Sequence, residues 1–195
     1  MKAKYLLLFI ISVISLNALN LPNVHSQKWT DKYDEYFRKY SKRFFGVAFN
    51  WKWFKAQAIA ESELVVKAKS KVGARGLMQI MPATFAEIKK KFPELKNIHE
   101  PRWNIAAGIY YDAYLYRLWT AKRPHDEKLK YTFASYNAGF NRILKAQRLS
   151  KTKGYDITYW EAVEKIAHEV ENWNHHETIR YIDKIQKLMK NNTNY

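Results

Sequence analysis

The sequence has no cysteine among its 195 residues. Disulfide bonds, a thiolate nucleophile and a cysteine-ligated zinc site are therefore excluded, as is lipid attachment at an N-terminal cysteine. Sustained alternation of apolar and polar residues, which is typical of strands, is also missing. Most of the 6 glycines and 5 prolines stand, with asparagines, between segments of helical pattern. These absences predict a mainly α-helical fold, and the length predicts a single domain.

Acidic residues are scarce relative to basic ones. The chain has 18 Asp and Glu against 34 Lys and Arg, a formal net charge of +16 and a pI near 9.8. Such a charge favours a polyanionic partner, which nucleic acid, anionic lipid and anionic cell-wall polymers all satisfy. Individual runs such as Lys89-Lys90-Lys91 are typical of solvated helix faces. No nucleic-acid-binding motif accompanies the charge, so we do not expect nucleic acid as a partner.

Residues 1–20 have the layout of a secretory signal peptide. Lys2 and Lys4 precede the apolar run YLLLFIISVISL, and polar sequence follows. The cleavage site is poor, with Ala18 as its best small residue, so an uncleaved anchor and a buried N-terminal helix stay open as alternatives. We expect export to the periplasm or cell envelope, with membrane contact only through residues 1–20. A linker over 21–30, a catalytic domain over 31–190 and a frayed tail over 191–195 complete the predicted organisation.

The rest of the chain divides into helical segments at its glycines, prolines and asparagines. Helical spacing of apolar residues predicts helices over 31–43, 51–66, 83–91, 101–122, 126–138, 158–171 and 175–190.

Glu61 interrupts an apolar stripe in the second predicted helix. Positions 54, 58, 61 and 65 share one helix face, and the other three hold Phe54, Ala58 and Val65. A carboxyl group among apolar neighbours has a raised pKa and suits general acid catalysis, as glycosidic cleavage requires. On periodicity alone, the favoured explanation is that Glu61 lies at the stripe's edge or is a structural acid paired with a cation or a helix N-terminus.

An ordered set of motifs begins at the same residue. The segment reads ESELVVKAKSKVGARGLMQIMPATF, and further on stand NI at 104–105, ASYNAGFNRI around Tyr136 and Asn137, and ETIRYIDKI from Glu177. Together these elements resemble the lytic transglycosylases with a soluble-type (SLT), lysozyme-like domain. The likeness covers nearly the whole chain after its N-terminal segment. Phe140 departs from the family, which usually has proline after Tyr-Asn-Ala-Gly.

The resemblance implies a lysozyme-like, goose-type helical domain with a groove that binds peptidoglycan glycan strands. It implies that Glu61 protonates the glycosidic oxygen between N-acetylmuramic acid and N-acetylglucosamine. The resulting carboxylate would then take the proton of the muramic acid 6-hydroxyl as that oxygen attacks C1, which leaves a 1,6-anhydro end. The remaining family positions are expected to bind substrate or orient Glu61; they are Ser70, Met78, Gln79, Met81, Tyr136, Asn137, Glu177 and Tyr181.

Several of these residues also have ordinary structural explanations. The Ser70 hydroxyl suits a local turn, a methionine such as Met81 often fills a core gap, and Glu177 suits a salt bridge with Arg180 or Lys184. The pair His175-His176 lacks a partner at metal-ligand spacing, so we expect no metal and no cofactor.

Two other functions remain open at this point. A hydrolytic muramidase on the same scaffold would need a second carboxylate to activate water, and Glu177 and Asp112 are the candidates. A non-catalytic glycan-binding protein is the other alternative, against which the intact Glu61, Gln79 and Tyr136 argue. The expected state is a monomer, and a cell-envelope machine is a further expected partner.

Overall fold

The computed structural model describes residues 23–190, and within that range it contains eight α-helices, a short 3-10 helix and isolated β-bridges but no strand. The predicted signal peptide over 1–20 and the tail over 191–195 lie outside the described residues. The helices are α1 Asp34–Phe45, α2 Lys52–Ser62, α3 Pro82–Lys91, α4 Pro101–Leu118, α5 His125–Ala138, α6 Phe140–Thr152, α7 Glu161–Ile166 and α8 His175–Met189, with the 3-10 helix at Ala167–Glu169.

Three helices end at least four residues earlier than periodicity predicts. One is α7, which ends at Ile166 instead of residue 171 and continues only as the 3-10 helix Ala167–Glu169; the others are α2 and α4. α2 ends at Ser62 instead of residue 66 because Glu63 and Leu64 adopt left-handed backbone conformations, with φ of 53° and 61°. Val65, predicted to continue the apolar stripe, consequently lies outside the helix and is 53% exposed. α4 ends at Leu118, four residues before the predicted end.

α6 was not predicted. Gly139, with φ of 92°, ends α5 and is followed at once by α6, which begins at Phe140. The buried positions Ile143, Ala146, Gln147 and Ser150 follow helical spacing, so a signal was present. It is weak because two of the four buried residues are polar.

The core surrounds α2. Phe54, Ala56, Ala58 and Ile59 are all fully buried, and α2 packs between α1 and α8. α4 packs against α1 and α5, and α5 also contacts α8. This arrangement brings the C-terminal ends of α2 and α5 to one side of α8. Aromatic residues fill much of the core, as expected of a small helical domain.

The described part of the predicted linker packs against the helical domain. Residues 23–30 form successive turns, and the Val24 N–H donates a 2.8 Å hydrogen bond to the Leu188 carbonyl near the end of α8. Val24 itself is buried. Across residues 23–190, no helix combines the length and apolarity needed to span a membrane.

The loop between α2 and α3 is anchored to α4 by Asn104. The Asn104 amide donates to the carbonyls of Arg75 (2.9 Å) and Ile98 (3.0 Å), and its oxygen accepts from the Met78 N–H at 2.8 Å. Gly76 lies against this side chain with φ of +74°; a Cβ there would stand 2.5 Å from Asn104 Nδ2. The close approach requires glycine, so the motif glycine has a packing role.

Candidate active site

A cavity of about 530 Å³ lies where α2, the following loop, α5 and α8 meet. Eight of the nine residues predicted to form the site line it: Glu61, Ser70, Gln79, Met81, Tyr136, Asn137, Glu177 and Tyr181. They come from four separate chain segments, so the fold assembles them.

Glu61 lies in the last turn of α2, partly buried at the wall of this cavity. The Tyr181 hydroxyl, on α8, donates a 2.6 Å hydrogen bond to its Oε1. Burial raises the pKa of Glu61 to about 7, with a further rise from the charge of Glu177. The Tyr181 hydrogen bond and the charge of Lys184 act in the opposite direction. The carboxyl group is therefore poised to hold and release a proton near neutral pH.

Met78 is the one predicted site residue that does not line the cavity. It is fully buried, and its side chain packs so closely on α4 that a Cβ added to Gly108 would stand 2.8 Å from it. The expectation that the Met78 side chain binds substrate is therefore wrong. Met81, at 40% exposure, lines the groove instead.

Tyr136 contacts the backbone of the loop. Its hydroxyl donates a 2.7 Å hydrogen bond to the Met78 carbonyl, and burial raises its pKa well above the ordinary value. Tyr136 therefore does not orient Glu61 through a hydrogen bond, and the Tyr181 hydroxyl donates to Glu61 instead. Tyr136 instead joins α5 to the loop that carries Gln79 and Met81.

Asn137 is held by a relay of two hydrogen bonds that passes through Thr178 of α8. The Trp173 indole N–H donates to the Thr178 hydroxyl (2.9 Å), which donates to Asn137 Oδ1 (2.8 Å). With its oxygen engaged in this way, Asn137 has its amide N–H groups available for other acceptors. Thr178 and Trp173 are buried, so the relay is shielded from water.

Three other predicted residues make local contacts. The Ser70 hydroxyl accepts from the Ala74 N–H at 3.0 Å, which is the local-turn alternative stated above. Gln79 has a left-handed backbone, with φ of 45°, and its amide donates to the Gly76 carbonyl. Glu177 is exposed and accepts from Asn174 at 2.9 Å, and no salt bridge joins it to Arg180 or Lys184.

Asp112 cannot act as a second catalytic carboxylate. It is fully buried on α4, and its Oδ1 accepts a 3.2 Å hydrogen bond from Gln57 Nε2. Burial raises its pKa well above the ordinary value. Asp112 is closed off from water in the groove. Among the described residues that line the cavity, Glu177 is the one acid besides Glu61.

Two cations of the site were not predicted as site residues. Arg180 and Lys184 follow Glu177 on α8 at helical spacing and line the same cavity. Their spacing from Glu177 and Tyr181 was a usable signal, but it also fits a solvated helix face. The groove offers sugars the apolar side chain of Met81 and the amides of Gln79 and Asn137. It also holds one proton donor, Glu61, and the positive charges of Arg180 and Lys184.

Comparison with known proteins identifies relatives of this chain. A family model described as the transglycosylase SLT domain matches residues 35–158. The membrane-bound lytic murein transglycosylase F of Vibrio vulnificus YJ016 is 29% identical over 138 residues, which are 71% of this chain and 23% of that protein. Its counterpart in Vibrio campbellii is 30% identical, over 69% of this chain and 23% of that protein. The chain thus spans about a quarter of the length of these relatives.

Solved structures share the fold. The 70 kDa soluble lytic transglycosylase SLT70 of Escherichia coli superposes with a TM-score of 0.60 at 27% identity, over 80% of this chain and 23% of that one. An inactive mutant of lytic transglycosylase Slt from Pseudomonas aeruginosa gives 0.61 at 22% identity, over 81% and 23%. The predicted mainly α-helical, lysozyme-like fold is confirmed. Because the family model also covers more than half of the sequence, this chain belongs to the transglycosylase SLT domain family.

Proposed function

We propose that this chain is a peptidoglycan lytic transglycosylase in which Glu61 acts first as general acid and then as general base. The observation that carries the proposal is the Glu61 carboxyl group itself: it lines a groove, receives one hydrogen bond from Tyr181 and has a pKa of about 7. A carboxyl group with that pKa is protonated often enough to protonate a glycosidic oxygen, and its conjugate base is strong enough to accept a proton afterwards.

The reaction proceeds in two steps. Glu61 gives its proton to the oxygen that links N-acetylmuramic acid to N-acetylglucosamine, and the C1–O bond breaks. The Glu61 carboxylate then takes the proton from the muramic acid 6-hydroxyl while that oxygen bonds to C1. Glu61 is regenerated as the acid, a 1,6-anhydro end is formed and water is not consumed. Because the nucleophile is part of the substrate, one carboxyl group suffices.

The other groove residues support binding. The amides of Gln79 and Asn137 offer donors to sugar hydroxyl and acetamido groups, and Met81 offers an apolar surface to a sugar face. The relatives named above are murein transglycosylases, which supports peptidoglycan as the substrate. It also supports export of the protein and the cell envelope as its place of action. We propose no metal or cofactor.

A hydrolytic muramidase is the second candidate, and the exposed Glu177 at the groove is the observation that favours it. Digestion of purified sacculi by the wild-type chain and by Glu61→Gln separates the possibilities. The proposal expects anhydro ends by mass spectrometry and loss of nearly all product with Glu61→Gln, about 1000-fold or more. Reducing ends that disappear in Glu177→Gln would favour hydrolysis. Unchanged lysis by Glu61→Gln would overturn both enzyme assignments.

A further inference from the structure

A buried contact between an acid and an amide joins α4 to α2 close to Glu61. Gln57 Nε2 donates a 3.2 Å hydrogen bond to Asp112 Oδ1, and both side chains are fully buried. Gln57 precedes Glu61 by four residues on α2, so it lies one helical turn away on the same side of the helix. The contact is therefore next to the proposed proton donor although neither of its residues lines the groove.

Two oxygen atoms of this contact lack hydrogen-bond donors. Within residues 23–190, Asp112 Oδ2 and Gln57 Oε1 are both buried and have no partner. A carboxylate and an amide oxygen can only accept, so an ionised Asp112 offers no proton to either atom. A protonated Asp112 has one O–H group. A hydrogen bond from Oδ2 to Gln57 Oε1 would engage both oxygens at once and would run beside the bond already present.

Asp112 has no compensating positive charge in the described part of the chain. It forms no ion pair there. The titratable groups around it carry no positive charge and come from four helices: Glu61 on α2, Tyr111 on α4, Tyr136 on α5 and Tyr181 on α8. Burial, and after it the charge of Glu61, raise the pKa of Asp112. A carboxylate in such surroundings is costly, whereas the neutral acid needs only hydrogen bonds.

We propose that Asp112 keeps its proton in the folded chain and donates it from Oδ2 to Gln57 Oε1, which closes an uncharged acid–amide pair beside Glu61. Two parallel hydrogen bonds then fix α2 against α4 at the level of the groove. Asp112 and Gln57 are positioning residues, since they act through Glu61 and do not line the groove.

The absence of charge on this pair affects the proton chemistry of Glu61. Once Glu61 has protonated the glycosidic oxygen, it carries a negative charge, and a second negative charge on Asp112 would oppose that state. A neutral Asp112 removes the opposition, so that Glu61 can release its proton and recover it. This part of the proposal rests on the proposed function, because it concerns the cleavage step.

The carbon-13 resonance of the Asp112 carboxyl group reports the proton directly. Asp112→Asn removes the resonance and so assigns it. The same carboxyl group in the urea-unfolded chain titrates at its ordinary value near 4 and supplies both reference positions. We expect the resonance of the folded chain to stay at the protonated position between about pH 5 and about pH 8. A carboxylate position at pH 7 would overturn the proposal.

An exchange of acid and amide tests the pair by activity. Gln57→Glu alone brings two carboxyl groups together; they share one proton and carry a negative charge next to Glu61. We expect kcat at pH 7 to fall about tenfold, with a smaller change in KM. Adding Asp112→Asn again leaves one acid and one amide, and should recover most of kcat. An undiminished kcat in Gln57→Glu, or no recovery in the double variant, would overturn the proposal.

Gln147→Glu is the matched control. Gln147 is a buried glutamine of α6 whose Oε1 also lacks a partner, and it does not line the groove. The substitution introduces the same new acid into the core, so it should lower stability more than kcat. Asp112→Asn should not restore any kcat that it loses. Equal recovery of kcat in the two backgrounds would count against a specific pair of Asp112 with Gln57.

The pH profile of cleavage by Asp112→Asn completes the test. If Asp112 is already neutral, the substitution leaves the charge near Glu61 unchanged, and the alkaline limb should stay within about 0.3 pH unit of the wild-type position. A limb moved to lower pH by about one unit would mean that an ionised Asp112 raises the pKa of Glu61, and would overturn the proposal. If the wild-type chain shows no Glu61-dependent cleavage, the proposed function fails, and the carbon-13 resonance still decides whether Asp112 holds its proton.

Discussion

The Tyr181 hydroxyl donates its hydrogen bond to the carboxyl group of Glu61 across 120 positions of sequence, at 2.6 Å. This contact stabilises the carboxylate and so lowers the pKa of Glu61, whereas burial raises it by more. The balance of the two leaves the pKa near 7. Cleavage that needs the protonated acid is therefore expected to fall as pH rises through about 7.

Tyr181→Phe removes the hydrogen bond that stabilises the Glu61 carboxylate, so the pKa of Glu61 should rise. The alkaline limb of the pH profile of the cleavage rate is therefore expected to move to higher pH by about one unit. The rate of sacculus solubilisation between pH 5 and pH 9 measures the shift. Tyr155→Phe, at an exposed tyrosine outside the groove, is the control and should leave the limb in place. An unmoved limb in Tyr181→Phe would show that Glu61 does not govern it.

Asp112→Asn is expected to stabilise the fold at neutral pH. Burial raises the pKa of Asp112 in the folded chain, so its carboxyl group costs stability as pH rises above the unfolded value of about 4. The amide keeps an acceptor for Gln57 and removes the charge. We expect a gain in unfolding free energy of about 1 to 2 kcal/mol at pH 7 that disappears near pH 4.

Urea denaturation at several pH values measures this gain. Glu171→Gln, at an exposed acid, is the matched control and should show no such trend. A gain in Asp112→Asn that does not vary with pH would contradict the explanation by a buried titrating group.

Thr178→Val is expected to cost about 1 to 3 kcal/mol of stability, because it leaves both the Trp173 N–H and Asn137 Oδ1 without partners. It should also raise KM more than it lowers kcat, since Asn137 loses its fixed orientation in the groove. Thr178→Ser keeps the hydroxyl and should retain most of both properties. Because valine keeps the methyl group that serine lacks, a larger loss in Thr178→Ser than in Thr178→Val would mean that packing of the methyl group, rather than the relay, matters.

Gly76→Ala is expected to destabilise the chain by about 2 to 3 kcal/mol, because its Cβ would meet Asn104 at 2.5 Å in addition to the strain of positive φ. Gly154→Ala provides the comparison. Gly154 also has positive φ, +81°, but nothing lies within 4 Å of its Cβ position, so only the backbone cost of about 1 kcal/mol applies. Thermal unfolding of the two variants measures the difference, and equal losses would refute the packing role of Gly76.

Local patterns were sufficient for much of the fold. Most helices follow from apolar spacing and from the residues that end them, because those signals act within a few residues. α6 was missed since Gln147 and Ser150 occupy half of its buried positions. The early end of α2 was missed since left-handed backbone at Glu63 and Leu64 has no reliable signal in residues other than glycine.

Residue patterns alone establish that the chain is helical, that it carries the ordered motifs of the SLT domain and that Glu61 stands within them. The surroundings of that carboxyl group follow from the folded structure. It assigned the hydrogen bond to Tyr181 and not to Tyr136, buried Met78 and Asp112, and placed Arg180 and Lys184 at the wall of the groove. Burial, pKa and hydrogen-bond partners depend on residues distant in sequence, so local spacing does not specify them.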